Sequence, residues 1–195
     1  MIKIIESFHF IHENPQFLKR QFSISKDHIF QAIEGVHATV EWLKTSVFHL
    51  IVDDLTFHIS DEPINFPGEL AIEEREDFHP VVYINVMSIV DDYQKQEFLY
   101  DMKVSNTTCF DYAAFVTLHE VGHYVQALIG GRGKSKKEKI YDYFDRGEHH
   151  YDCFVEHMKH GDSYEEKKRY RNIPHEKAAD DFARVYLNCL KRESC

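Results

Sequence analysis

No C-x-x-C pair occurs among the four cysteines, which stand at positions 109, 153, 189 and 195. That excludes a structural zinc ribbon, and the spacing offers no disulfide framework. No apolar run approaches the ~20 residues of a membrane-spanning helix. Met1-Ile2-Lys3-Ile4-Ile5-Glu6 gives way to Ser7, His9 and His12 in place of a signal-peptide apolar core. These absences lead us to expect a cytoplasmic protein with reduced thiols and no membrane partner. Positive charge is also short: 23 Lys and Arg against 33 Asp and Glu leave a formal charge of −10. Phosphate contact needs clustered Lys and Arg, so no nucleic-acid partner is expected. The one basic cluster, Arg132 to Lys139, reads as a solvated loop. Internal repeats and low-complexity blocks are missing as well.

What is present is a globular composition, 43% hydrophobic and 14% aromatic, in a chain long enough at 195 residues to bury a sizeable core. One domain over residues 1–195 is expected, with a helical N-terminal part over 1–50 and a polar insert or lid over 131–171. Asn14-Pro15 marks a turn in a mixed opening segment. Ile29, Ile33, Val36, Val40, Leu43 and Val47 then predict a helix from about Asp27 to His49. Leu55 to Ile59 alternates as a strand does, Glu69 to Ile72 suits a short strand, and Val81 to Val86 is the richest in β-formers. Residues 87–104 read as a charged connector with a helical piece around Gln94 to Met102. Residues 133–171 read as short helices. A helix followed by a meander and further helices predicts an α+β fold, with a small antiparallel or mixed sheet packed on helices.

Chemistry concentrates in His119-Glu120-Val121-Gly122-His123. Positions i and i+4 share a helix face, so both imidazoles can reach one metal ion. Zinc accepts neutral imidazole nitrogen and keeps a position for water in catalytic sites. Glu120 then lies where it can take a proton from that water. Phe110, Ala114, Leu118, Val121, Val125 and Leu128 predict a helix from roughly Asn106 to Ile129. Asn106, Thr107 and Thr108 are candidate N-caps, and Gly130-Gly131 is a stop. Gly122 costs about 1 kcal/mol relative to Ala inside a helix, so it calls for a packing reason.

A second helix is predicted from Pro174 to about Leu190, with Ala178, Ala179, Phe182, Val185, Tyr186 and Cys189 on one side. Its small Ala178, Ala179 and Ala183 permit close approach to another helix. Glu176 and Asp180 share a face, so a carboxylate from this helix can complete a two-His, one-Glu zinc site. Asp180 can accept the free ring N–H of a ligating His. Alone, Glu176 would read as a first-turn acid favoured by the helix dipole. His149, His150, His157 and His160, between the two helices, compete for the third position.

H-E-x-x-H followed by E-x-x-x-D on a later helix resembles the signature of gluzincin metallopeptidases. "TLHEVGHYVQ" and "EKAADDFA" look most like the small cytosolic gluzincins of the ImmA/IrrE type. The resemblance covers roughly residues 80 to 190 and implies a minimal gluzincin-like fold. It also implies His119, His123 and Glu176 as zinc ligands, Glu120 as the base, and Asp180 orienting His119. The segment Val81-Val82-Tyr83-Ile84-Asn85 resembles the edge strand that precedes the metal-binding helix, and it is expected to pair with an extended substrate. The stretches from Asn85 to His119 and from His123 to Glu176 are longer than in the compact family pattern. A histidine as third ligand would move the chain toward SprT-like or metzincin-like proteases. The Gly and His that continue a metzincin motif are missing from Tyr124 to Ile129.

The expected function is a zinc-dependent endopeptidase acting on a protein or peptide, with Tyr164, Tyr170 and His149 as candidate oxyanion stabilisers. One rival is a catalytically silent zinc-binding regulatory protein. The other is an interaction module in which the His-Glu motif is accidental.

Overall fold

The stretch with the least charge becomes the central helix. The computed structural model describes residues 1–64, 66–74, 78–103, 106–159 and 163–193. In chain order it comprises β1 (Lys3–Ser7), α1 (Pro15–Phe22), α2 (Lys26–Thr45), β2 (Thr56–Ser60), β3 (Gly68–Glu74) and β4 (Phe78–Asn85). Then follow α3 (Val86–Gln94), α4 (Phe98–Asp101), α5 (Cys109–Gly130), α6 (Lys136–Glu156), α7 (Tyr164–Tyr170) and α8 (Pro174–Glu193). The expected α+β architecture is present: a four-stranded mixed sheet packed against helices.

Helix α5 starts at a capping box, in which the Thr108 hydroxyl accepts the Asp111 N–H and the Asp111 carboxylate accepts the Thr108 N–H. A single apolar stripe was expected, but α5 is buried on nearly every face from Cys109 to Ala127. It lies between α2 and α8, with α6 and the sheet closing the remaining sides. At its end, Gly131 has an ordinary negative φ of −74°. Its small size is needed for another reason: a Cβ there would run into the Ala127 and Lys139 carbonyls where the chain turns into α6.

The sheet order is β1-β2-β4-β3. Strands β1, β2 and β4 run parallel, and β3 is antiparallel to β4, with Leu70 opposite Val82 and Gly68 opposite Ile84. This corrects the reading of Val81–Asn85 as an edge. β4 sits between β2 and β3, so its main chain is already paired on both sides, and the outer strand beside α5 is β3. Buried Phe57, Ile59, Val82 and Ile84 place the sheet in the same core as Ile29, Val36 and Leu43 of α2. Asp61, fully buried at the end of β2, accepts the N–H groups of His9, Phe10 and Ile11 at 2.7 Å and ties down the chain leaving β1.

Other boundaries shift for local reasons. The Asn85 side chain accepts the Ser88 N–H, so Val86 opens a helix in place of ending a strand. The connector expected after it is therefore the buried helix α3. α2 stops at Thr45, leaving Val47 81% exposed. On α8 the buried face holds Ala179, Phe182, Ala183, Leu187 and Leu190, while Val185 points outward. Residues 136–156 form one 21-residue helix, not the several short ones expected. Among the described residues, no helix is long and apolar enough to cross a membrane.

Candidate metal centre

Two helices bring the expected residues together. α5 presents His119, Glu120 and His123 from successive turns, and the first turn of α8 presents Glu176 with Asp180 one turn on; all five are buried. The helices meet closely at Gly122, which explains that residue. A Cβ there would lie 3.1 Å from Ala179 Cα and 3.2 Å from both Ala179 O and a Phe182 ring carbon.

The three donors face one another. Nε2 of His119 lies 3.1 Å from Nε2 of His123. Glu176 Oε2 lies 3.3 Å from His119 Nε2, and Oε1 lies 3.6 Å from His123 Nε2. Ligands about 2.0–2.1 Å from a tetrahedral ion stand about 3.4 Å apart, so the trio fits one metal. Among the described residues, these are the three His, Cys, Asp or Glu donors gathered closely enough to share an ion. His149, His150 and His157 lie outside this group, and His160 falls outside the described residues.

Each ligand has its own support. His119 Nδ1 donates to Asp180 Oδ1 at 3.0 Å; a carboxylate can only accept, so the proton sits on Nδ1 and the lone pair of Nε2 faces the trio. Asp180 also accepts Arg184 Nη2 at 3.0 Å and Arg171 Nη1 at 3.4 Å. Arg171 Nε reaches Asp101 at 2.9 Å, and Asp101 further accepts the Tyr112 hydroxyl at 3.1 Å. Among the described residues, His123 Nδ1 has only the Tyr143 hydroxyl, at 3.2 Å. Tyr151 donates its hydroxyl to Glu176.

The electrostatics describe a cation site. Two bare ring nitrogens at 3.1 Å repel unless positive charge lies between them. Without a metal, one proton has to serve. Burial works against a charged His119, but hydrogen bonds to Asp180 and Glu176 raise its pKa to about 10. Burial and the neighbouring His119 push His123 down to about 3. Burial would raise Glu176, yet its hydrogen bond to His119 and the charge of the imidazoles hold it well below the usual carboxylate range. Glu120 stands apart from the three donors, and burial raises it to about 7 against the pull of His119.

A cleft of about 410 Å³ opens over the trio between β3 and α6. Gly68 to Leu70 form one wall, and Tyr143, Gly147 and Tyr151 form the other. Gly68 lies directly against Glu120: a Cβ would come within 2.9 Å of Glu120 Cγ. Leu70 lines the cleft beside Glu120, and its backbone helps to offset the upward push of burial on the carboxyl group. Of the three oxyanion candidates, Tyr170 lines the cleft. Tyr164 is 52% exposed and packs on Tyr100, and His149 is exposed beside His150. Sequence reasoning missed Gly68, Tyr143, Tyr151 and Arg171. None of the four belongs to a motif in the sequence.

The comparisons are silent. No family model matches this chain, and no curated protein or solved structure matches it. The buried His119, His123 and Glu176 can bind a metal ion, and that statement rests on their geometry alone.

Proposed function

We propose that the protein is a zinc-dependent peptidase, with His119, His123 and Glu176 as ligands and Glu120 as general base. The observation that carries the reading is the placement of Glu120: a buried carboxylate beside the ligand trio yet outside it, facing an open cleft under an edge strand. Nitrogen and carboxylate donors in a tetrahedral spacing suit zinc. Zinc bound there would polarise a scissile carbonyl and lower the pKa of the attacking water toward ~7. Glu120 takes the water's proton and delivers it to the leaving amine. Strand β3, the outer strand at the cleft, offers main-chain groups to an extended substrate. Tyr170, on the cleft wall, is the candidate donor to the developing oxyanion.

The test pairs metal analysis of untagged protein with a peptide-cleavage assay. One zinc per chain and cleavage are expected, and Glu120→Gln should keep the zinc and lose hydrolysis by at least about 100-fold. Zinc without cleavage in the unaltered chain would make it a silent zinc-binding regulator. Cleavage retained by Glu120→Gln would remove the base assignment.

A further inference from the structure

A second chamber opens behind the metal cleft. It holds about 350 Å³ between α3, α4, α6 and α7. Tyr100, Tyr112, Phe154 and Tyr170 form aromatic walls, and Asp92 stands in its lining. A smaller space of about 220 Å³ links it to the metal cluster: Asp92, Asp101, Tyr170 and Arg171 border both spaces, and the smaller one also touches His119, Glu120 and Glu176. A chain crossing the ligands at Glu120 therefore has a side chamber within reach.

Charge in the chamber is nearly balanced, with one exception. Lys167 pairs with Glu97 at 2.6 Å, Arg171 with Asp101 at 2.9 Å, and Arg169 with Glu166 at 2.8 Å. Lys95 is engaged by Asp91 at 2.6 Å. The Asp92 carboxylate has no hydrogen bond or ion pair among the described residues. Its burial, with Glu97, Asp101 and Asp91 nearby, raises its pKa to about 6, against a smaller opposing pull from the Lys95 charge. A half-buried carboxylate without a directly paired cation is unfavourable, and it becomes more so when a ligand displaces the remaining water. A neutral or acidic occupant aggravates that cost, while a cationic one removes it. Aromatic walls suit the same occupant, since they accept the aliphatic stem of a basic side chain and attract its charged head.

We propose that this chamber is a subsite for a lysine or arginine side chain of the peptide substrate, with Asp92 as its counter-charge. The inference rests on the peptidase reading for the word substrate, but the chamber's preference for a cation can be measured without catalysis.

The probes are fluorescein-labelled alanine-rich peptides carrying a single arginine, or citrulline, its uncharged isostere, at the same position. Binding is followed by fluorescence anisotropy on the zinc-supplied full chain carrying Glu120→Gln, so that no cleavage interferes. The arginine peptide should bind about tenfold more tightly than the citrulline peptide, as one charge-assisted contact predicts. Asp92→Asn, at a side chain with no hydrogen bond or ion pair among the described residues, should erase that difference and leave the citrulline affinity unchanged. Equal affinities, an arginine preference that survives Asp92→Asn, or no binding of either peptide would overturn the proposal. Cleavage of the same peptides by the chain with Glu120 intact is scored separately: arginine-selective binding without cleavage keeps the subsite and removes the peptidase reading.

Discussion

The two walls behind the ligands are built from different chemistry. Behind His119, on the α8 side, lies an ionic wall in which Asp180 is held by Arg184 and Arg171, and Arg171 by Asp101. Behind His123, on the α6 side, a phenol, Tyr143, is its one hydrogen-bond partner at Nδ1 among the described residues. A carboxylate acceptor fixes the ring tautomer and makes the imidazole a stronger donor. A hydroxyl can both donate and accept, so it does neither job as firmly. His119 is therefore the anchored ligand and His123 the compliant one. The third ligand combines the two styles, since Glu176 accepts the Tyr151 hydroxyl and lies 3.8 Å from Arg171 Nη1.

The largest effect belongs to the ligand both walls share. Glu176→Ala should weaken zinc binding by more than about 100-fold, beyond the range of supporting residues, and abolish any loss of melting temperature on chelation. A chelator titration monitored by thermal unfolding reads both; unchanged affinity would remove Glu176 from the ligand set. Next comes the ionic wall. Asp180→Asn should cost about 10–100-fold in zinc affinity, because it weakens the acceptor for His119 and leaves Arg171 and Arg184 facing a neutral amide. Tyr143→Phe keeps the ring and removes only the hydroxyl, so its cost should stay below about tenfold. Equal losses in the two variants would break the contrast between the walls.

Smallest is the effect at the helix crossing. Gly122→Ala gains about 1 kcal/mol of helix propensity but places a methyl against the Ala179 backbone. α8 must then give by a few tenths of an ångström, and Glu176 moves with it. A few-fold loss of zinc affinity with little change in the unfolding of the metal-free protein is expected. The reverse pattern would mean that the close approach serves packing and not the site.

This contrast also separates what could be read in the chain from what could not. His119, Glu120 and His123 are legible because helix periodicity is local: spacing alone puts them on one face. Glu176 and Asp180 are legible by the same rule, once Pro174 marks a helix start. Tyr143 and Tyr151 lie on a polar helix whose pattern says only that it is amphipathic; that α6 packs over His123 and Glu176 is a tertiary fact. Arg171 sits just past α7 in a run of charges that reads as solvent-facing. The sheet shows the same limit. Three strands are visible from their residues, but β1 is a short exposed strand defined by its pairing with β2. The position of β4 inside the sheet depends on which partner β3 takes, and alternation within a strand does not encode that.

The central claim is that two imidazoles of α5 and one carboxylate of α8 hold a single ion. Diffraction from crystals grown with zinc, collected on both sides of the zinc absorption edge, tests it most directly. The account predicts one anomalous peak per chain, about 2.0–2.1 Å from Nε2 of His119, Nε2 of His123 and a carboxylate oxygen of Glu176. A peak lacking Glu176, or centred on the histidines of α6, would contradict it.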